Sequence, residues 1–280
     1  MEAEVCIKAT VPTQNEWNGA KQYVVTESGL QMAYIEWGDM TSRPVILVHG
    51  YSDTSRAWSL IAPYLTGRRY IAIDLRGHGN TTKTKVGFDA ITLSNDLAEF
   101  MDALDIQHAD IVGHSMGSIV AGVFAAYFPE KVDKLLLIST SIKSPDGLMT
   151  WIWDNLDKET FPLSRDSEFI KNWTWNPSLI DKSFLNHLIL ENTTTPKSTW
   201  YEVLKAFEML DWSLCAQRIK AETTIYWGDQ DQLMIASSQP AVKAALPNAN
   251  YIVYEGFGHS MFWEQPQACS RDMMAFLGTE

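Results

Sequence analysis

A serine framed by two glycines, Gly113-His114-Ser115-Met116-Gly117, follows the apolar run Asp110-Ile111-Val112 and precedes residues 118–128, which read as a buried helix. In that setting a G-x-S-x-G sequence marks a sharp strand-to-helix turn that lifts a hydroxyl above the edge of a sheet. The glycines have a steric role, because a side chain at either position would crowd the point where strand and helix approach. A serine hydroxyl is a weak nucleophile at neutral pH, so it needs a base, and the base needs an acid to orient it. Residues 251–255 read as a strand leading into Gly256-Phe257-Gly258-His259, which places a histidine on a glycine-flexible loop at a strand end. Residues 223–227 read as another strand, ending in Gly228-Asp229-Gln230-Asp231. Two carboxylates therefore compete to orient His259.

With these segments in the chain order Ser, Asp, His, the sequence resembles the α/β-hydrolase superfamily, in its single-domain, lidded branch of esterases, lactonases and carbon-carbon bond hydrolases. The likeness runs from residue 23 to residue 277. It also includes His49-Gly50, Asp74-Leu75-Arg76-Gly77-His78-Gly79, and Gly258-His259 followed by Glu264 and Pro266. The resemblance implies an α/β fold: a mostly parallel eight-stranded sheet flanked by helices, with a helical lid inserted after the sixth strand. It implies Ser115, Asp231 and His259 as the catalytic triad, preferring Asp231, three residues after Gly228, to Asp229, which then caps a loop. The backbone N–H of Met116, next after the nucleophile, is one oxyanion donor, and the resemblance points to Tyr51 for the other. The Asp74 turn reads as structural, with Arg76 and His78 bracing loops. His49 braces a loop as well, His114 points away from the pocket, and His108 and His187 have no catalytic role.

A serine nucleophile argues against the epoxide and haloalkane branches, where a carboxylate attacks. Tyr51-Ser52-Asp53 after His49-Gly50 lacks the glycine-rich continuation typical of many carbon-carbon hydrolases and of proline iminopeptidases. The expectation is hydrolysis of a carboxylic ester or lactone through an acyl-enzyme on Ser115. Carbon-carbon cleavage of vinylogous diketones, or a hormone-type receptor that keeps the pocket without turnover, are the alternatives.

Strand-like and helix-like runs alternate as a mostly parallel, doubly covered sheet requires. Residues 23–27 and 31–37 read as an antiparallel hairpin; 45–49, 70–74, 110–113 and 135–139 as short buried strands; 55–65, 93–104 and 267–277 as helices. Between 141 and 215 the strand signal stops, and short helical stretches are separated by Pro145, Pro162, Pro177 and Pro196. A structureless loop of that length is implausible in a compact domain, so 141–215 reads as the helical lid and 20–140 with 216–280 as the core. The segment contains Trp151, Trp153, Trp173, Trp175, Trp200 and Trp212, six of the chain's eleven tryptophans. Most are needed to hold the lid together; the rest would roof Ser115. The pocket candidates are Tyr51, Met116, Trp151, Trp153, Trp175, Trp212 and Met261, and the substrate is expected to be small and largely hydrophobic.

The net charge of -12 argues against nucleic acid or an anionic membrane as partner. Cys6, Cys215 and Cys269 are scattered and suggest neither a disulfide framework nor a metal site, and no cofactor is expected. No apolar run reaches the length of a membrane span. Residues 1–19 read as a disordered or loosely docked leader without a signal peptide, the chain as cytoplasmic, and the sequons at Asn80, Asn172 and Asn192 as unused.

Overall fold

The apolar runs are too short for buried helices and rich in β-branched residues, and in the computed structural model, which describes residues 11–145 and 147–278, they pair into one sheet. In chain order the elements are α1 (Gln14–Gly19), β1 (Gln22–Val25), β2 (Gln31–Gly38), β3 (Pro44–Val48), β4 (Arg69–Ile73), α2 (Ala90–Ala103), β5 (Ala109–His114), α3 (Met116–Tyr127) and β6 (Val132–Ile138). Five helices follow: α4 (Leu148–Leu156), α5 (Glu168–Trp173), α6 (Lys182–Thr194), α7 (Lys197–Glu208) and α8 (Ser213–Ala216). The chain then returns through β7 (Glu222–Gly228), α9 (Gln239–Ala245), β8 (Asn250–Tyr254), α10 (Met261–Glu264) and α11 (Pro266–Leu277).

The strand order is β1-β2-β4-β3-β5-β6-β7-β8. β2 is antiparallel to β1 and β4, and every other neighbouring pair is parallel. Val48 pairs with Ile73 on one side and Gly113 on the other, so β3, β4 and β5 end level. Because β4 and β5 flank β3 on opposite sides, the winding reverses there, and the loops leaving β3 and β5 open a crevice at the carboxyl ends of the strands. Along β3, Ile46 and Val48 join the cluster containing Leu97 and Phe124, while Val45 and Leu47 join that of Trp58, Phe262 and Met273. Both faces are covered, which is why no polar residue alternates along this strand.

Two sequence expectations require correction. Residues 55–65 form two short 3₁₀ turns, Ser55–Trp58 and Ala62–Tyr64, instead of one helix. Pro63 has no N–H to continue an α-helical ladder, and Arg56 turns inward to the carbonyls of Pro12 and Thr13. The described part of the 1–19 leader is not loose. Thr13 and Glu16 form a reciprocal capping box at α1, and Trp17 is buried with its indole N–H 3.3 Å from Ser55 Oγ. Residues 1–10 lie outside the described part.

Between β6 and β7 the described residues are helical, with their own apolar cluster of Ile152, Leu156, Leu163, Phe169, Ile170, Trp200 and Leu204. The chain enters and leaves this insertion side by side. Lys143 and Asp211 form an antiparallel bridge, flanked by hydrogen bonds from Ser144 N to the Leu210 carbonyl and from Trp212 N to the Ile142 carbonyl, each 3.1 Å. Among the described residues no helix is long and apolar enough to cross a membrane.

Candidate active site

Ser115 stands between β5 and α3 with φ 54° and ψ -123°, a backbone conformation a serine adopts only when its surroundings impose it. The surroundings are backbone. A Cβ on Gly113 would lie 2.3 Å from the Gly117 carbonyl oxygen, and one on Gly117 would lie 2.3 and 2.4 Å from those of Val48 and His49. The turn is further tied by Ser115 N to the Ile138 carbonyl at 2.9 Å and by Ser118 Oγ to the Ser115 carbonyl at 2.5 Å. The Ser115 hydroxyl has no hydrogen-bond partner among the described residues.

Across the crevice, His259 Nδ1 is 2.9 and 3.0 Å from the two carboxyl oxygens of Asp231. A carboxylate accepts there, so the imidazole proton belongs on Nδ1 and Nε2 is left with its lone pair. Asp231 is fixed in turn by the backbone N–H groups of Leu233 and Met234, at 2.8 and 2.9 Å. Asp229 is exposed and accepts from Gly256 N at 2.7 Å, which makes it a loop cap. The His259 loop is clamped by Glu264, whose carboxyl accepts from Gly258 N at 2.8 Å and from Ser178 N of the insertion at 3.2 Å. Burial raises that carboxyl above the usual range.

Ser115 and His259 line one cavity of about 640 Å³ between the sheet edge and the insertion. Its aromatic walls are Tyr51, Trp151, Trp173, Trp175 and Trp263, and its polar groups include Asp53, Asn172, Asn176, Asn192, Gln230 and Gln232. A second, almost wholly apolar pocket of about 50 Å³ also reaches Ser115, lined by Met116, Ile119, Ile152, Val203, Phe207 and Met234 among others. Tyr51, Ser115, Leu148, Trp173 and Leu233 border both. The backbone N–H groups of Tyr51 and Met116 have no acceptor among the described residues, so both are free to donate. The Tyr51 hydroxyl donates to the Trp200 carbonyl, which fixes its ring against Trp173 and Trp200.

Three pocket candidates lie elsewhere. Trp153 borders neither cavity and packs edge-on against Tyr201, with centroids 5.5 Å apart. Trp212 is buried against α3, where a Cβ on Gly122 would lie 2.4 Å from its ring, and its indole N–H donates to the Ser141 carbonyl at 2.8 Å. Met261 is fully buried in the core cluster of Phe262 and Met273. His114 also departs from expectation. Rather than pointing away, it lines the larger cavity and packs on His259 with ring centroids 4.9 Å apart, donating from Nε2 to the His259 carbonyl at 3.1 Å. Burial holds it well below the ordinary histidine range, so it is neutral and props the His259 loop without adding charge.

His49 braces the crevice floor. Its Nδ1 lies 2.8 Å from the Gly50 carbonyl and its Nε2 accepts from Leu75 N at 2.9 Å, with burial lowering it to about 4. Asp74 accepts from Lys21 Nζ, Ser55 N and Asn80 N, and Arg76 pairs with Asp96, so this turn holds loops together. His108 pairs with Asp133 at the surface and His187 lies on the insertion, both away from the cavity. Asp53, Asn192, Trp173 and Trp263 also line the larger cavity, and nothing in the sequence marks them as pocket residues. Among the described residues no group of three or more His, Cys, Asp or Glu side chains is arranged to hold a metal ion.

Comparison with known proteins places this geometry in a family. The sequence model of the alpha/beta hydrolase fold matches residues 43–266. The chain is 28% identical to a non-heme chloroperoxidase of Streptomyces lividans, covering 91% of this chain and 98% of that one. It is 26% identical to a bifunctional esterase/perhydrolase of Acinetobacter calcoaceticus, covering 91% and 99%. The structure superposes on an esterase from Exiguobacterium antarcticum with a TM-score of 0.81 over 92% of this chain and 99% of that chain; at 18% identity the likeness is one of fold. With most of its length matched by that family's model, its eight-stranded sheet wound in the same way, and an esterase among its relatives, the chain belongs to the α/β-hydrolase fold family.

Proposed function

We propose that the protein is a serine hydrolase of carboxylic esters or lactones with a small, largely hydrophobic body, working through an acyl-enzyme on Ser115. One observation carries the reading: a serine held at positive φ and a histidine whose Nδ1 is engaged by a buried aspartate line the same cavity. His259 Nε2 takes the Ser115 proton as the hydroxyl attacks the carbonyl carbon, and Asp231 stabilises the imidazolium that forms. The amides of Tyr51 and Met116 receive the oxyanion. His259 then protonates the leaving oxygen, and water repeats the sequence in reverse to free the acid. The Ser115 hydroxyl is unpaired in this arrangement, consistent with catalytic hydrogen bonds that tighten only in the Michaelis complex.

The general acid must reach the leaving group, and His259 borders only the larger cavity, so the alcohol portion belongs there. The acyl chain then enters the small apolar pocket, which favours short acyl groups. A lactone keeps both halves joined and spans the two. In this scheme the insertion, 141–215, serves as the lid. The likeness to an esterase/perhydrolase supports a second outcome of the same intermediate, in which hydrogen peroxide replaces water and the product is a peracid.

The test is Ser115→Ala. Only the hydroxyl is lost, so binding of product is expected to persist while hydrolysis of p-nitrophenyl acetate and butyrate falls to background, a loss of the order of 10⁶ in the subtilisin case. An organophosphate adduct is expected on Ser115 of the unmodified protein by mass spectrometry and on no serine of the variant. Substantial turnover by the variant would falsify the covalent mechanism.

A further inference from the structure

We propose that Asp53 is a ligand-binding residue whose free carboxyl oxygen receives a protonated amine, carried by the part of the substrate that occupies the larger cavity; this rests on Ser115 being the point of ester attack.

Two other carboxylates are buried at the strand ends, and both are saturated. Asp231 holds His259 and two backbone N–H groups; Asp74 holds an ammonium and two backbone N–H groups. Asp53 is as deeply placed, at 5% exposure, yet it forms no salt bridge among the described residues, and the one positive group that acts on it is His259, through space and only when the imidazole is protonated. Its Oδ1 receives one long bond, 3.4 Å, from Asn192 Nδ2, an amide already donating to the Ser52 carbonyl at 2.9 Å. Its Oδ2 receives none. Oδ2 is not sealed in the protein but reaches the cavity that Asp53 lines, where solvent or a donor on a ligand can meet it. Burial has pushed this carboxyl up to about 7, so near neutrality a cation arriving beside it converts it to the anion and gains the full pairing.

The placement suits a substrate. A side chain on Gly50 would be 3.2 Å from both Asp53 Oδ2 and Ser115 Cβ, so the carboxyl and the nucleophile are separated by no more than the width of that missing side chain. Next to Asp53, Trp173 is tethered by its indole N–H to Ser52 Oγ at 2.9 Å, presenting an aromatic wall to the same cavity. A carboxyl beside aromatic faces is a site for an ammonium, which gains from both. Asn192 Oδ1 and His114 Nδ1, each almost fully buried and without a partner, add further acceptors near Asp53.

Calorimetry with the full chain and three probes of equal size, benzylamine at pH 7, benzyl alcohol and ethylbenzene, separates charge from shape. Benzylamine is expected to bind at least about tenfold more tightly than benzyl alcohol, as for hydrogen bonds to a charged group, and Asp53→Asn, which keeps the shape, is expected to abolish that advantage. Equal binding of benzylamine and benzyl alcohol, or an advantage that survives in Asp53→Asn, would overturn the proposal. The same ratio is read in kcat/KM for 3-(aminomethyl)phenyl acetate against phenyl acetate. Asp53-dependent amine binding without ester turnover would remove the hydrolase reading and keep this site; turnover indifferent to the amine would do the reverse.

Discussion

A Cβ added to Gly117 at the Ser115 turn would sit 2.3 Å from a backbone oxygen, whereas one added to Gly147, at the start of the insertion, would meet nothing within 4 Å. The two regions that enclose the cavity are thus held by different means. On the sheet side, main chain presses on main chain, and few sequences can satisfy the contact. On the insertion side, indoles and aliphatic side chains pack on one another, and many combinations fill the same space. On the function proposed above, the sheet edge would fix where the ester is attacked and the insertion would shape what is admitted.

The harshest challenge to that contrast is Gly117→Ala. Neither Val48 nor His49 can move its carbonyl without disturbing β3, so the loss of stability is expected to exceed about 4 kcal/mol, read by urea unfolding. A variant that folds within about 1 kcal/mol of the parent would show that the turn yields after all. Next in size is the orienting acid. Asp231→Asn is expected to lower kcat by about 10² to 10⁴, and Asp229→Asn by less than about tenfold, measured on the same aryl ester. The opposite ranking would move the role to Asp229. The gentlest probe is hydrogen exchange, in which the amides of α4 to α7 are expected to exchange before those of β3 and β5. Equal protection would make the insertion as rigid as the sheet and remove it as a gate.

The same division governs how much can be read from the chain. The sheet is legible because β3, β5 and β6 are short buried runs, and Ser115 because its two glycines answer a contact within a few residues. His259 and Asp231 are legible as strand-end residues; that Asp231 and not Asp229 meets the imidazole depends on how the loop folds back. Facing is what composition does not encode. Trp151 and Trp175 line the cavity and Trp153 does not, though all three give the same signal, because Tyr201 on α7 captures the Trp153 ring. The facing of His114 is illegible for a similar reason, since the partner of its Nε2 is the carbonyl of a residue 145 positions away. The Asp53 carboxyl is visible in the sequence, but its solitude is not: Asn192, its weak partner, is 139 residues distant.

The paired crossing at Lys143 and Asp211 gives the insertion a boundary of its own. Because the chain departs and returns at adjacent points, the sheet registers only two neighbouring attachment sites, whatever lies beyond them. Loop-closure entropy grows slowly with length, so segments can be lengthened, shortened or exchanged past that crossing at little expense to strand pairing. Trp212, wedged against Gly122, ties the insertion to the helix that begins beside Ser115. On the proposed function, substrate preference in such a scaffold is free to diverge while Ser115, Asp231 and His259 stay in place, and swapping residues 144–210 between relatives is the natural way to transplant it.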